Sequence, residues 1–199
     1  MECAYRLRGS SACARYSARD QGCDGMKPKP LPPVEYLREC LCYEHGTGKL
    51  FWKKRPREHF KNDARWKHQN ARHGGAEIAC VSAKGYTVLR LDGELYYAHR
   101  IIWKLEKGTE PPDELDHRDR CGTNGRIGNL RVATRSQQLM NRRPRSENTG
   151  IYFHKASGLW AASVQVDKKK FSLGYFSTKE AAQVARKRGE QYFYGEFAP

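Results

Sequence analysis

ELDHRDRCGTNGRIGNLRVATRSQQLMN, residues 114–141, is the stretch that decides the reading of this chain. An adjacent pair, Asp116-His117, closes a short strand-like run. A polar, glycine-containing loop follows, Asn129-Leu130-Arg131-Val132 begins a second strand, and Thr134 or Ser136 opens a helix. In such a strand–loop–strand–helix unit, Asp116, His117 and a helix residue can converge on one point. Phosphodiester hydrolysis requires a cation against the phosphate and a base for the attacking water. Carboxylate and amide oxygens suit a hard cation, and neutral imidazole suits the base near pH 7.

These residues resemble the ββα-metal core of HNH homing and phage endonucleases, from Leu115 to about Asn141, with a looser likeness upstream through Ala98-His99-Arg100-Ile-Ile-Trp103. The resemblance implies that His117 activates water, that Asp116 ligates the metal, and that Asn129 braces the loop and orients the histidine. The third position, commonly His or Asn, falls on Gln138, whose amide oxygen lies one methylene further out. The implied cofactor is a divalent metal, Mg²⁺ or Mn²⁺. His99 reads as a strand-end residue with a structural hydrogen bond, and Arg100 and Arg131 as phosphate contacts.

Upstream, Val34 to Tyr43 has apolar residues at helical spacing (Val34, Leu37, Leu41), Thr47-Gly48-Lys49 is a turn, and Leu50-Phe51-Trp52 a short strand. Residues 59–76 are polar and read as a surface loop. Gly85 to Leu91 and Glu94 to His99 flank Asp92-Gly93, the pair that favours a type I′ hairpin. An amphipathic helix, Arg100 to Lys107, then ends at Gly108 before Pro111-Pro112.

The last fifty residues read as strand (Gly150–His154), strand (Trp160–Val166), turn (Asp167–Lys169), strand (Phe171–Tyr175) and helix (Thr178–Tyr194), capped by Ser177 or Thr178. Leu173-Gly-Tyr-Phe-Ser-Thr-Lys-Glu-Ala-Ala182 and its flanks, Asn148 to Ala198, resemble the Apetala-2/ethylene-response-factor type of DNA-binding domain. That resemblance implies a three-stranded sheet laid in the major groove with a helix behind it. Tyr152, His154, Trp160, Ser163, Gln165 and Lys170 are then expected on the outward face. Ala181, Ala182 and Ala185 permit close packing, and Val184 with Phe193 or Tyr192 supplies apolar bulk. Lys168-Lys169-Lys170 reads either as a DNA contact or as a solvated turn.

The chain has 199 residues, a net charge of +15, 38% hydrophobic residues and a mean hydropathy of −0.87. A basic chain of this size attracts polyanions, because neutralising phosphates releases counterions. No run approaches the ~18 apolar residues of a membrane span, and no apolar signal region opens the chain, so a cytoplasmic setting, phage or bacterial by resemblance, is expected. Seven cysteines, an odd number without a C-x-x-C pair, read as reduced thiols.

The expected fold is α+β, a ββα-metal HNH nuclease core plus a small three-stranded antiparallel sheet with one packed helix. Residues 1–33 form a disordered leader and proline-rich linker and 34–141 the HNH endonuclease domain, with 113–141 as its catalytic unit. Residues 142–147 form a basic linker and 148–199 the second DNA-binding domain. Arg142, Arg143 and Arg145 in the linker are candidates to follow a phosphate backbone or minor groove. The expected partner is double-stranded DNA, with no membrane and no obligate protein partner. A non-cleaving DNA-binding regulator with an inert HNH unit is the main alternative. An RNA-binding or ribosomal accessory protein is favoured by charge alone.

Overall fold

The computed structural model describes residues 29–142, 146 and 148–199. The expected leader and the linker positions Arg143 and Arg145 lie outside the described residues. The chain divides into two units, one through Val132 and one from Ala133 onward.

The first unit is built around α3, Ala98–Lys107, whose Ala98, Ile101, Ile102 and Leu105 recur at helical spacing and are all buried. Gly108 ends the helix at φ 70°, a left-handed cap that glycine adopts without steric cost. Against it pack α1, Val34–Cys40, and the β1–β2 hairpin, Leu41–Glu44 paired with Lys49–Trp52. The β3–β4 hairpin, Val88–Leu91 with Glu94–Tyr97, turns through Asp92 (φ 52°) and Gly93 (φ 89°), the type I′ signature. Strand β5, Leu115–His117, pairs antiparallel with β6, Leu130–Val132.

Five details differ from the sequence expectation. Leu41 leaves α1 to open β1, because its side chain serves the same core from a strand. His99 is a first-turn residue of α3 and not a strand end, since the helix begins at Ala98. Residues expected as a loop contain α2, Asp63–His73, capped by the Asn62 side chain accepting from Arg65 N. Leu31, inside the proline-rich stretch, is buried, and its carbonyl accepts from Lys104 Nζ at 3.1 Å. Cys40, Cys80 and Cys121 are free, whereas Cys42 is disulfide-bonded, against the expectation of reduced thiols throughout.

In the second unit α4, Arg135–Met140, begins at a capping box. The Thr134 hydroxyl accepts from Gln137 N, and the Gln137 side chain accepts from Thr134 N. It lies against a 3-10 turn at Gly195–Phe197. Strands β7, Ile151–His154, β8, Leu159–Val166, and β9, Lys169–Phe176, form one antiparallel sheet in that order. Helix α5, Lys179–Tyr194, packs on one face of that sheet over Ile151, Ala162 and Leu173. Gly189 lets it approach, because a Cβ there would meet Leu173 Cδ1 at 2.6 Å. Val184 and Tyr192, expected as apolar bulk, are instead 52% and 83% exposed, and Tyr194, Phe197 and Ala182 take the interior positions.

Candidate active site

Strand pairing fixes the two residues at the centre. The β5–β6 register sets Asp116 opposite Arg131 and His117 opposite Leu130. Asp116 Oδ2 accepts from Arg131 Nε at 2.9 Å and lies 2.8 Å from Nη2, with the two side chains 12% and 5% exposed. Arg131, expected on DNA, is therefore a buried partner of the carboxylate. Its strand position turns the guanidinium along the ladder toward Asp116, away from solvent.

His117 is buried in a nest of rings. Its centroid lies 5.0 Å from that of His99, edge to face, and 5.7 Å from Tyr86. Tyr97 stacks on His99 at 5.5 Å. Burial pushes the His117 imidazole below its ordinary range, while Asp119 and Asp116 pull the other way. Burial also drives His99 down to about 3, assisted by His117 and Arg100. Both rings are thus uncharged near neutral pH, and an uncharged imidazole can accept a proton from water.

The loop between the strands closes on Asn129. Its Oδ1 accepts from Asp119 N at 3.1 Å, and its Nδ2 donates to Asp119 Oδ1 at 2.9 Å and to Asn124 O at 3.1 Å. Its carbonyl accepts from Arg118 N, the residue next to His117, at 2.9 Å. Asp119 in turn binds Cys121 N and Asn124 Nδ2. Burial would raise the Asp119 carboxyl, but these hydrogen bonds outweigh it and hold it low. From β1, Tyr43 Oη donates to Gly125 O at 3.1 Å and accepts from Ile127 N at 3.0 Å. Asn124, Tyr43 and Tyr86 were missed in the sequence, and Asp119 was read only as an alternative metal ligand. For Asp119 and Asn124, the available signal was Asx side chains spaced to bond the loop backbone. The tyrosines carry no local signal.

Arg100, expected on phosphate, instead donates Nη1 to Pro112 O (2.9 Å) and Asp113 O (3.2 Å) and Nη2 to Pro111 O (3.3 Å). It fastens the segment that leads into β5. Standing on the first turn of α3, it reaches carbonyls that the prolines leave outside any ladder.

Gln138 lies on α4 in the second unit and is half-buried. Its neighbour Gln137 is spent on the capping box. Among the described residues no group of three or more His, Cys, Asp or Glu side chains is arranged to hold a metal ion. The Asp116 carboxylate oxygen by itself is the kind of donor that suits a hard cation, which keeps waters and takes phosphate oxygens from its substrate.

On the second unit's sheet the alternation sorts the expected DNA-contacting residues. Tyr152, Ala161 and Tyr175 form one cross-strand row on the open face, joined there by His154, Gln165 and Lys170. The His154 and Tyr175 rings meet at 5.5 Å, and Lys170 Nζ lies 5.0 Å from the Tyr152 ring centre. Ser163 is buried and donates to Gly150 O. Trp160 is opposite to expectation. It pairs with Phe153 and Phe176, packs among the residues under α5, and has Lys179 over its ring at 6.0 Å. Arg142, beside α4, is exposed.

Residues 96–140 match the HNH endonuclease family model. The HNH segment starts in β4 and covers α3, β5, the Asn129 loop, β6 and α4, less than a quarter of the chain. It contains His99, Asp116, His117, Asn129 and Gln138, and it points to nuclease chemistry on DNA. No curated protein and no solved structure matches the chain. No helix among the described residues is long and apolar enough to cross a membrane.

Proposed function

We propose that this chain is a metal-dependent HNH endonuclease that hydrolyses phosphodiester bonds of double-stranded DNA, with His117 as the general base. The observation that carries the reading is an uncharged, buried His117 directly after an ion-paired Asp116, inside a segment that matches HNH endonucleases.

In this account His117 takes the proton of the attacking water as the phosphorus is approached. Asn129 keeps the loop closed, so that the backbone after His117 holds one geometry. Arg131 holds the Asp116 carboxylate in place. Asp116 and Gln138 are the side chains that would hold Mg²⁺ or Mn²⁺. When bound, the cation would polarise the scissile phosphate and stabilise charge on the leaving oxygen.

The second unit is proposed as an Apetala-2/ethylene-response-factor type module that grips duplex DNA through Tyr152, His154, Gln165, Lys170 and Arg142. Support comes from its three strands with one packed helix and from the open aromatic and basic face. A tethered second contact raises the local concentration of the site on its substrate. A phage or bacterial cytoplasm is the proposed setting.

The second reading is a non-cleaving DNA-binding regulator. The Asp116–Arg131 ion pair favours it, because a guanidinium competes with a cation for the same carboxylate oxygen. Supercoiled plasmid incubated with the protein, with Mg²⁺ or with chelator, separates the two. Nicked or linear product only with the metal supports the nuclease, and intact plasmid throughout supports the regulator.

A further inference from the structure

Helix α2 buries no residue, yet it is held in one orientation. Its inner face carries Trp66, Asn70 and His73, spaced to fall on one side. Trp66 Nε1 and Asn70 Nδ2 both donate to Arg55 O, at 3.0 and 2.8 Å, and Asn70 Oδ1 accepts from Arg55 N at 2.9 Å. Arg55 is itself buried and fixed to Asp92 at 2.8 Å and to the Tyr36 hydroxyl. The helix thus stands on a polar pedestal and not on an apolar core.

The outer face is of a different kind. Ala64, Arg65, Lys67, His68, Ala71 and Arg72 are all exposed. Small alanines hold the middle of that face and cations flank them. The one acidic residue of the helix, Asp63, is paired with Arg57 at its first turn. Among the described residues, Arg65, Lys67 and Arg72 have no ion pair. Arg65 and Arg72 lie seven residues apart on one side of the helix, and Arg72 and His68 both push the His73 imidazole down, after burial. A helix that buries no residue and leaves these cations without ion pairs gains nothing from this arrangement in isolation.

We propose that the outer face of α2 is a binding site for the phosphate backbone of duplex DNA, set by Arg65, Lys67 and Arg72. Seven residues place Arg65 and Arg72 about 10 Å apart along the helix axis, the axial run of about three phosphates on one strand. The alanines between them let the helix axis come close to the sugar–phosphate chain. Such contacts carry charge and no sequence information. This site rests on the reading of the chain as a DNA-acting protein and adds to it a sequence-independent grip on the first unit.

The test uses the full-length chain, with R65Q/K67Q/R72Q beside wild type, and a fluorescent duplex titrated across a salt series. Glutamine matches arginine and lysine in helix propensity, so helix content by circular dichroism should be unchanged. The expected result is weaker binding by at least tenfold at low salt, and a salt slope reduced by about two to three, close to 0.9 per lost phosphate contact. A charge-preserving R65K/R72K variant should keep the wild-type slope. Unchanged affinity and slope in the glutamine variant, while wild type binds duplex, overturn this site and leave the DNA reading standing. Equal loss in the lysine variant overturns it as well, since charge is then not the cause. Wild type that fails to bind duplex at low salt overturns the DNA reading itself.

Discussion

Asp116 and Arg131 face each other across the β5–β6 ladder, with two guanidinium nitrogens 2.9 and 2.8 Å from one carboxylate oxygen. Both side chains are withdrawn from solvent, so each is the other's main compensation for lost hydration. A buried ion pair is weak as a net stabiliser, but removal of one partner strands a charge, at a cost of about 3–5 kcal/mol. Arg131→Ala should therefore lower unfolding stability by that order in a urea titration and impair cleavage, while leaving the salt slope of DNA binding unchanged. A slope reduced by about one, with stability intact, would mean that Arg131 touches phosphate. Arg100→Ala should behave likewise on stability through its three lost carbonyl bonds.

The sheet of the second unit separates two kinds of aromatic residue. Trp160→Ala should destabilise that unit by about 1–3 kcal/mol, as a partly buried large side chain packed against the interior does when truncated. Tyr152→Ala with Tyr175→Ala, both on the open face, should leave the melting transition in place and weaken duplex binding several-fold. Melting curves and binding isotherms of both variants decide it. An unmoved melting curve in Trp160→Ala, with lost binding, would return Trp160 to the DNA-facing side.

Acid should unfold the first unit through its histidines. His99 falls to about 3 from the usual 6.5 because it is buried uncharged, and His117 is lowered for the same first reason. The unfolded chain then binds more protons than the folded one below pH 6.5, so stability rises with pH in that range. Full stability is present above about pH 6.5 and is lost as pH falls toward 3. His99→Gln should flatten this acid limb in urea titrations at pH 7, 6, 5 and 4. A variant with the same pH dependence as wild type would show that His99 is solvated when folded.

The elements whose apolar residues repeat were legible in the sequence. Ile101, Ile102 and Leu105 wrote α3, Asp92-Gly93 wrote its hairpin, and Thr178 wrote the start of α5. Helix α2 was not legible, because it rests on Trp66 and Asn70 bonding one distant backbone group, and that leaves no periodic apolar signal. The same limit governs the site. Asp116, His117 and Asn129 could be read as neighbours in one motif, and the loop closure by Asn129 follows that reading. Arg131 and Arg100 were not legible as internal partners, because an arginine in a strongly basic chain looks the same whether it meets phosphate or protein. Only the β5–β6 register and the carbonyls of residues 111–113 distinguish the two. Trp160 was misplaced by one step of strand alternation, enough to carry a side chain to the other face.

The most direct measurement is single-turnover cleavage of a labelled duplex by wild type, His117→Ala and Gln138→Ala, with Mg²⁺ or Mn²⁺ titrated and DNA affinity recorded in parallel. The account predicts metal-dependent cleavage by wild type. His117→Ala should lose at least a hundredfold in rate, with duplex affinity within a few-fold, since a general base acts only in the chemical step. Gln138→Ala should require more metal for half-maximal rate, and Gln138→Asn no more than wild type. Gln138→Ala with an unchanged metal requirement would move the second side-chain ligand elsewhere, to Asn141 or Asp119. Wild-type protein that binds the duplex but leaves it uncut at every metal concentration, or His117→Ala that cuts at the wild-type rate, would contradict the account.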